Sequence, residues 1–263
     1  MQQMQVLAQV KAVDPALAQD IIRVELICPG IAKQVKPGQF VTIASAVKHL
    51  LLPRPFTVYD TDGQAITLII QLVGPNTHEY AKWKPGDQVL VFGPIGRQVV
   101  LSPAIKCFIL VSGGVGLASL YYPARSIQKY NHGTWTILAA GFRTPAHVFG
   151  IENFRALGME VCSITDDRGT AVKLFREILD SGGLPLASEI EVLTCGPEVM
   201  MRQVVQICIE RGIACKVFME RIMACGRGDC KGCAVTAVNG SILHVCQHGP
   251  AIDGREVAWD ATH

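Results

Sequence analysis

Cys107-Phe108-Ile109-Leu110-Val111-Ser112-Gly113-Gly114-Val115-Gly116 is an apolar run that stops in a glycine-rich turn. The run is strand-length, and residues 118–129 beyond it have the apolar spacing of a helix. A strand turning through glycines into a helix is the opening unit of a parallel α/β sheet, and the free amides at such a helix start suit a phosphate. The turn departs from G-x-G-x-x-G, so a tight turn without a ligand reads equally well.

Downstream the alternation continues. Apolar runs at 136–140, 160–164 and 190–193 read as strands, and 172–179 and 199–211 as helices. That order predicts a Rossmann-like α/β domain. Pro123 falls early in the first helix, where a proline is better tolerated. Cys195-Gly196-Pro197 follows the last strand and shares its carboxyl edge with Gly113, Gly114 and Gly116, the edge at which open α/β sheets bind ligands. Cys195 there either touches a nicotinamide or packs. Asp166 and Asp167 end another strand and are candidates for ribose hydroxyls, a solvated loop being the plainer reading.

Upstream, short apolar or alternating runs at 24–27, 40–43, 56–59, 66–72 and 88–92 are separated by Pro29-Gly30, Pro37-Gly38, Asp62-Gly63, Pro85-Gly86 and Gly93-Pro94. Such spacing predicts a small antiparallel barrel or sandwich. Arg54-Pro55-Phe56-Thr57 opens one strand. An arginine there can hold a pyrophosphate through paired hydrogen bonds, a hydroxyl can meet a flavin edge, and an aromatic can lie on its face. Gly74-Pro75-Asn76-Thr77 opens a short helix, where Thr77 is a plain cap or its neighbours meet phosphate.

Beyond about residue 216 the chain is glycine- and cysteine-rich without a helical period. Of ten cysteines, Cys225, Cys230, Cys233 and Cys246 crowd together near the end, and the other six read as small buried hydrophobes. The C-x4-C-x2-C run matches plant-type 2Fe-2S proteins. A structural zinc site, which favours two close pairs of ligands, and unliganded thiols are the alternatives. Gly226, Gly228 and Gly232 let the loop turn its amides inward. Asn239-Gly240 predicts a two-residue type I′ hairpin whose register sets Cys233 opposite Cys246. Arg227 and Asp229 flank the loop, placed to tune a cluster or to meet a partner.

The 263 residues divide on this reading into segments 1–101, 102–215 and 216–263. Apolar residues make up 49% and charged residues 17%, a globular composition. A net charge of +2 gives no general attraction to nucleic acid or to an anionic membrane. No run reaches the roughly 18 apolar residues of a membrane span. Residues 1–10 carry no cation, which predicts no signal peptide and a cytoplasmic protein with reduced thiols.

Taken in order, Arg54–Thr57, residues 74–77, 93–96, 113–116 and 195–197 and the terminal cysteines resemble the ferredoxin–NADP reductase superfamily. Within it the chain is most similar to the electron-transfer subunits of NAD-dependent (class 1B) dihydroorotate dehydrogenase. The diagnostic part is Met219-Glu220-Arg221 leading into residues 225–233, with Cys246-Gln247-His248-Gly249-Pro250 closing the segment. The resemblance implies an antiparallel β-barrel FAD domain, an α/β NAD domain and a small C-terminal 2Fe-2S domain. It implies that Arg54, Pro55 and Phe56 hold FAD with Thr57 near the flavin, and that Ile70, Gln71, Leu72, Asn76 and Thr77 complete that site. Gly113, Gly114, Gly116, Cys195, Gly196 and Pro197 would line the nicotinamide path, and Cys225, Cys230, Cys233 and Cys246 would hold the cluster.

Phe56, Thr57, Gln71 and Asn76 depart from the residues such proteins often carry, Gln71 replacing a frequent arginine. The resemblance also implies a partner, an FMN-containing subunit that oxidises dihydroorotate to orotate in pyrimidine (UMP) biosynthesis, in a heterotetramer with two of each subunit. Electrons would pass through the cluster and FAD to NAD+, with no catalytic acid or base in this chain. Small subunits of sulfide dehydrogenase and of NADH-dependent ferredoxin–NADP reductase-type complexes are similar over the same length. The non-enzyme alternative is a zinc-stapled binding module.

Overall fold

The computed structural model describes residues 3–44, 51–130 and 133–260. The first seven strands are β1 (Met4–Ala18), β2 (Ile21–Ile27), β3 (Phe40–Ile43), β4 (Arg54–Thr57), β5 (Asp60–Thr61), β6 (Ala65–Gln71) and β7 (Gln88–Ile95). They form one antiparallel sheet in the order β4-β3-β7-β1-β2-β6-β5. The two edge strands are neighbours in sequence, separated only by Val58 and Tyr59. The sheet must therefore curl until its edges meet, and Val58 N donates to Gln39 O at one edge and Tyr59 N to Thr67 O at the other. Alternate residues fill the inside: Ile22, Val24 and Leu26 from β2, Ile66, Leu68 and Ile70 from β6, and Val89 and Val91 from β7. Two short helices, α1 (Pro29–Ala32) and α2 (Pro75–Tyr80), cap its connections.

The second sheet begins with β8 (Cys107–Gly113), followed by α3 (Leu117–Tyr130), β9 (Trp135–Phe142), α4 (Ile151–Ala156), β10 (Glu160–Thr165), α5 (Ala171–Asp180), β11 (Ile190–Cys195), α6 (Glu198–Arg211) and β12 (Ala214–Phe218). The five strands are parallel, in the order β10-β9-β8-β11-β12. Both faces are covered, as a parallel sheet requires. Cys107, Ile109 and Val111 of β8 pack with α5 and α6, while Phe108 and Leu110 pack with α3 and α4. Pro123 lies at the centre of α3 and not near its start, so the Ser119 carbonyl lacks the helical N–H it would otherwise receive.

The last segment is less separate than its composition suggests. It contains β13 (Ala234–Thr236), β14 (Ile242–His244), α7 (Val245–His248) and β15 (Ala251–Asp253). β15 joins β12 as an antiparallel edge strand, so residues 216–218 and 251–253 belong to the second sheet. The hairpin register also differs from the two-residue expectation. Ala234 pairs with His244 and Thr236 with Ile242, which sets Cys233 against Val245, whose N–H donates to the Cys233 carbonyl at 3.0 Å. Gly240 N donates to Ala237 O, Ala237 N to Ser241 O, and Gly240 has φ +79°. This is a three-residue loop with a left-handed glycine, the next commonest hairpin connection. Cys246 then comes back to Cys233 through α7, not through the ladder.

Candidate functional site: two cavities and a cysteine loop

A cavity of about 610 Å³ opens between the curled sheet, the start of α3 and the chain after β12. All four residues of β4 line it, as do Asn76 and Thr77 from α2. Along β6 and the two residues after it the side chains alternate: Ile69, Gln71 and Val73 face the cavity, whereas Ile70 is buried in the interior of the sheet and Leu72 packs on that same core. Ile70 and Leu72, expected to line a flavin, thus point away from this cavity. Thr77 is also committed locally. Its Oγ1 accepts from Val73 N and Gly74 N at 3.0 and 3.1 Å and donates to Gly74 O at 3.0 Å, closing the turn before α2.

A second cavity, about 650 Å³, lies at the carboxyl edge of the parallel sheet. Both volumes fall in the range that suits a small organic ligand, roughly 300–1,000 Å³. Gly113, Gly114, Gly116, Gly196 and Pro197 line the second cavity as the sequence predicts, joined by Arg143 and Asp166. The two turns touch backbone to backbone, since a Cβ on Gly116 would sit 2.4 Å from the Cys195 carbonyl oxygen. Cys195 itself lines neither cavity. It is fully buried facing α3, its Sγ 3.8 Å from the Phe218 carbonyl oxygen, and burial pushes its thiol far above the ordinary range. Asp167 lies outside the cavity beside Arg168 at 3.8 Å. His147 is buried against this cavity with its Nδ1 2.8 Å from Thr144 Oγ1.

Gln71, Val115, Glu220 and Arg221 line both cavities and form the wall between them. Glu220 stands in this crevice, open to solvent yet flanked by protein, and the loss of hydration raises its carboxyl above the usual value. Arg221 Nη1 lies 3.0 Å from Glu198 Oε2 at the start of α6 and donates to the Glu220 carbonyl at 2.9 Å. Its Nη2 is buried without a partner among the described residues.

The cysteine loop leaves this wall within four residues. Its sulfurs lie in two pairs. Cys225 Sγ accepts from the amides of Arg227 and Cys230 at 3.3 and 3.4 Å, next to the Cys230 thiol. Cys233 and Cys246 are buried, their sulfurs 3.2 Å apart, with the Cys246 amide 3.5 Å from Cys233 Sγ. Burial acts to raise the Cys225 thiol, but the amides of Cys230 and Arg227 and the Cys230 thiol prevail and bring it to about 6. Burial and the adjoining Cys233 push Cys246 up to about 12. Amides directed at sulfur favour thiolates, the form that binds metal. Among the described residues no three His, Cys, Asp or Glu side chains gather as around one ion. Two pairs of thiols match instead a binuclear iron centre, which takes two from the protein at each iron.

The loop is seated on the curled sheet. Gly226 packs against Ile95 and Thr42, the Arg227 guanidinium lies 4.3 Å from the centroid of Phe92, and Arg97 N donates to Gly249 O at 2.6 Å. Val245, beside the ligand candidate Cys246, and Met223, two residues before Cys225, both line the first cavity. Sequence reasoning did not single out Val115, Ser119, Met223 or Val245. The adjacency of the last two to cysteines was the available signal.

Residues 220–258 match the family model of the iron-sulfur cluster binding domain of dihydroorotate dehydrogenase B. Over 251 residues the chain is 32% identical to the dihydroorotate dehydrogenase B (NAD+) electron transfer subunit homolog of Thermotoga maritima, covering 93% of this chain and 85% of that protein. It is 36% identical to the corresponding electron transfer subunit of Geobacillus kaustophilus, over 84% and 86% of the two chains. Its fold superimposes with a TM-score of 0.86 on a chain of an NADH-dependent reduced ferredoxin–NADP oxidoreductase, 28% identical, over 98% of this chain and 91% of that one. On this likeness, spread along nearly its whole length, the chain belongs to the family of dihydroorotate dehydrogenase B (NAD+) electron transfer subunits.

Proposed function

We propose that this chain carries electrons between a nicotinamide nucleotide and a partner protein, with FAD in the first cavity, NAD+ in the second and a 2Fe-2S cluster on Cys225, Cys230, Cys233 and Cys246. The observation that carries the reading is the shared wall. Gln71, Val115, Glu220 and Arg221 border both cavities, and the buried cysteine pair backs onto the first through Val245. A flavin exchanges electrons in pairs and singly, and so joins the hydride chemistry of a nicotinamide to the one-electron chemistry of a cluster.

The protein's own part is binding, spacing and exclusion of water. Arg54, at the start of β4, is the cation for a pyrophosphate, with Pro55 and Phe56 giving it an apolar floor. Gln71, Asn76 and Thr77 border the same space, though Thr77 acts by holding its turn. Gly113, Gly114 and Gly116 let the nucleotide approach backbone amides, and Gly196 and Pro197 form the facing wall. The amides of the cysteine loop stabilise thiolate charge. Segments 1–101 and 102–215 are the flavin and nucleotide domains, and 216–263 is a cluster segment sewn into the second by β15. No helix among the described residues is long and apolar enough to cross a membrane.

The partner is an FMN-containing dihydroorotate dehydrogenase subunit, in a heterotetramer serving pyrimidine biosynthesis. The close likeness to a chain of the ferredoxin–NADP oxidoreductase favours one second reading, a complex of that type with a larger subunit. Purification from the native cell decides between them. An FMN-bearing subunit and dihydroorotate-dependent NAD+ reduction support the first reading, and a larger multi-cluster subunit overturns it. A colourless preparation containing zinc would end both.

A further inference from the structure

One buried hydroxyl lies between the turns of the second cavity and the strand that walls the first. Ser119, in the first turn of α3, is 6% exposed and borders the first cavity. Its Oγ is 3.1 Å from Thr57 Oγ1 on β4. Its side chain also neighbours the buried Cys195. Cys195 in turn donates toward the Phe218 carbonyl at 3.8 Å, and Phe218 is the last residue of β12 before the shared wall. A chain of contacts therefore runs Phe218–Cys195–Ser119–Thr57, from the parallel sheet across to the curled one.

The protons in this chain can be counted. A carbonyl only accepts, so the Cys195 S–H is committed to Phe218. The sulfur that remains is a weak acceptor, whereas the Thr57 hydroxyl oxygen is a good one. Ser119 has a single proton, and it goes to Thr57. Thr57 keeps its own proton, and among the described residues its hydroxyl meets no acceptor besides Ser119. The side chain lines the first cavity, so the remaining O–H is directed there.

We infer that Ser119 is a positioning residue, which fixes the Thr57 hydroxyl as a hydrogen-bond donor into the first cavity, toward an acceptor atom on the rim of a flavin ring. This rests on the reading of that cavity as the flavin site. It goes beyond that reading by assigning Ser119 control over the direction of the donor, and hence over the relative stability of the oxidised and reduced ring. Thr57 without Ser119 is free to turn its proton back toward α3.

The test is the midpoint potential and visible spectrum of the flavin bound to the purified chain. Ser119→Ala removes the hydroxyl alone. A hydrogen bond gained or lost at one redox state changes the balance by about threefold to tenfold, roughly 15–30 mV for a two-electron couple. Ser119→Ala and Thr57→Val are expected to shift the potential by similar amounts, and the double variant no further than either. The sign identifies the rim atom: downward for one that gains charge on reduction, upward for one that gains a proton. Ser119→Thr should restore the wild-type value, and Ser126→Ala, a buried serine two turns along α3, should not move it. Should Ser119→Ala not fold, Ser119→Cys, of similar size and a weaker donor, should shift the potential the same way as Thr57→Val. An unchanged potential in Ser119→Ala, additivity with Thr57→Val, or an equal shift in Ser126→Ala would overturn the assignment. Wild-type chain that binds no flavin sinks the reading of the cavity instead.

Discussion

Gly116→Ala should damage nucleotide binding and stability together, because the turn it occupies has no room for a methyl group. The added Cβ would lie 2.4 Å from the Cys195 carbonyl oxygen, 2.6 Å from the Cys195 carbonyl carbon and 2.8 Å from Gly196 N. Real Cβ atoms keep at least 3.0 Å from such neighbours, so the turns must part by about 0.6 Å. All three obstructing atoms are backbone. They are tied to β8 by the pairing of Cys195 with Ser112 and cannot swing aside as a side chain would. Overpacking of this kind costs about 1–3 kcal/mol, and each kcal/mol lowers Tm by roughly 2–4 °C in a chain of this size. Both turns border the second cavity, so a displacement of this size should weaken NAD+ binding about tenfold or more.

Calorimetric titration with NAD+ and a thermal melt read the two effects. Gly158→Ala is the matched control. Gly158 has φ +81° and open space around its missing Cβ, so alanine there costs only the left-handed backbone penalty, about 1–2 kcal/mol, and should leave NAD+ affinity alone. If Gly116→Ala bound NAD+ as tightly as wild type and melted no lower than Gly158→Ala, close approach of the two turns would not be what shapes the cavity.

Four further variants have expected outcomes. Cys230→Ser should abolish the cluster's visible and paramagnetic signals while bound flavin persists, since Cys230 is exposed; Cys246→Ser should lose the cluster and also weaken flavin binding, because neighbouring Val245 lines the first cavity. Asp166→Ala should weaken NAD+ binding by about tenfold, the worth of a charge-assisted hydrogen bond, and narrow the preference over NADP+ by removing repulsion of a 2′-phosphate, both read by titration. Arg125→Leu should loosen the two sheets, because Arg125 on α3 pairs with Asp60 of β5 at 2.5 Å and donates to the Thr61 carbonyl at 3.1 Å. The pair is partly exposed, so the loss is about 1–2 kcal/mol at neutral pH. Burial raises the Asp60 carboxyl above its ordinary 3.8 and Arg125 opposes this. Without Arg125 it rises further, the folded state binds more protons than the unfolded, and stability falls as pH climbs through the raised value. Denaturant midpoints should thus show the variant nearest wild type at acid pH, where Asp60 is protonated in both states, and furthest below it at neutral pH.

The α/β half was legible because β8, β9 and β11 are mainly apolar, interrupted only by single polar residues such as Thr136 and Glu191, and lie next to glycine turns, and covered on both faces no run need choose a side. The same property hid the facing of β6. Residues 65–70 are apolar apart from Thr67, so nothing in the run says whether Ile69 or Ile70 meets the cavity. Only tertiary packing makes Ile70 core and leaves Gln71 at the site. Cys195 lies off the second cavity for a related reason: it ends β11 with its side chain turned to the layer of α3, while the cavity begins one residue later. The hairpin was misread by one residue because Asn-Gly serves two-residue and three-residue loops alike. The choice between them lies in contacts distant in sequence, the bridge of Ala237 with Val257 and the bond from Val238 N to Glu256 O.

The cysteines still converge despite that slip, and the reason lies in where the last segment is anchored. Electron transfer between separate groups needs a short and constant gap, which a segment on a loose linker would not provide. Here the chain passes from β12 through the shared wall at Glu220 and Arg221 into the first cysteines, and returns through Cys246 and Pro250 to pair β15 with β12. Both ends of the cysteine segment are thus fixed to one strand, and its middle is held to the curled sheet by Gly226 on Thr42 and Arg227 on Phe92. Spacing between the cysteines and the first cavity is accordingly set by sheet pairing and not by the hairpin. A change of hairpin loop length at Asn239-Gly240 should therefore be tolerated far better than a proline in β15 at Ile252, which would remove a ladder bond at the anchor itself.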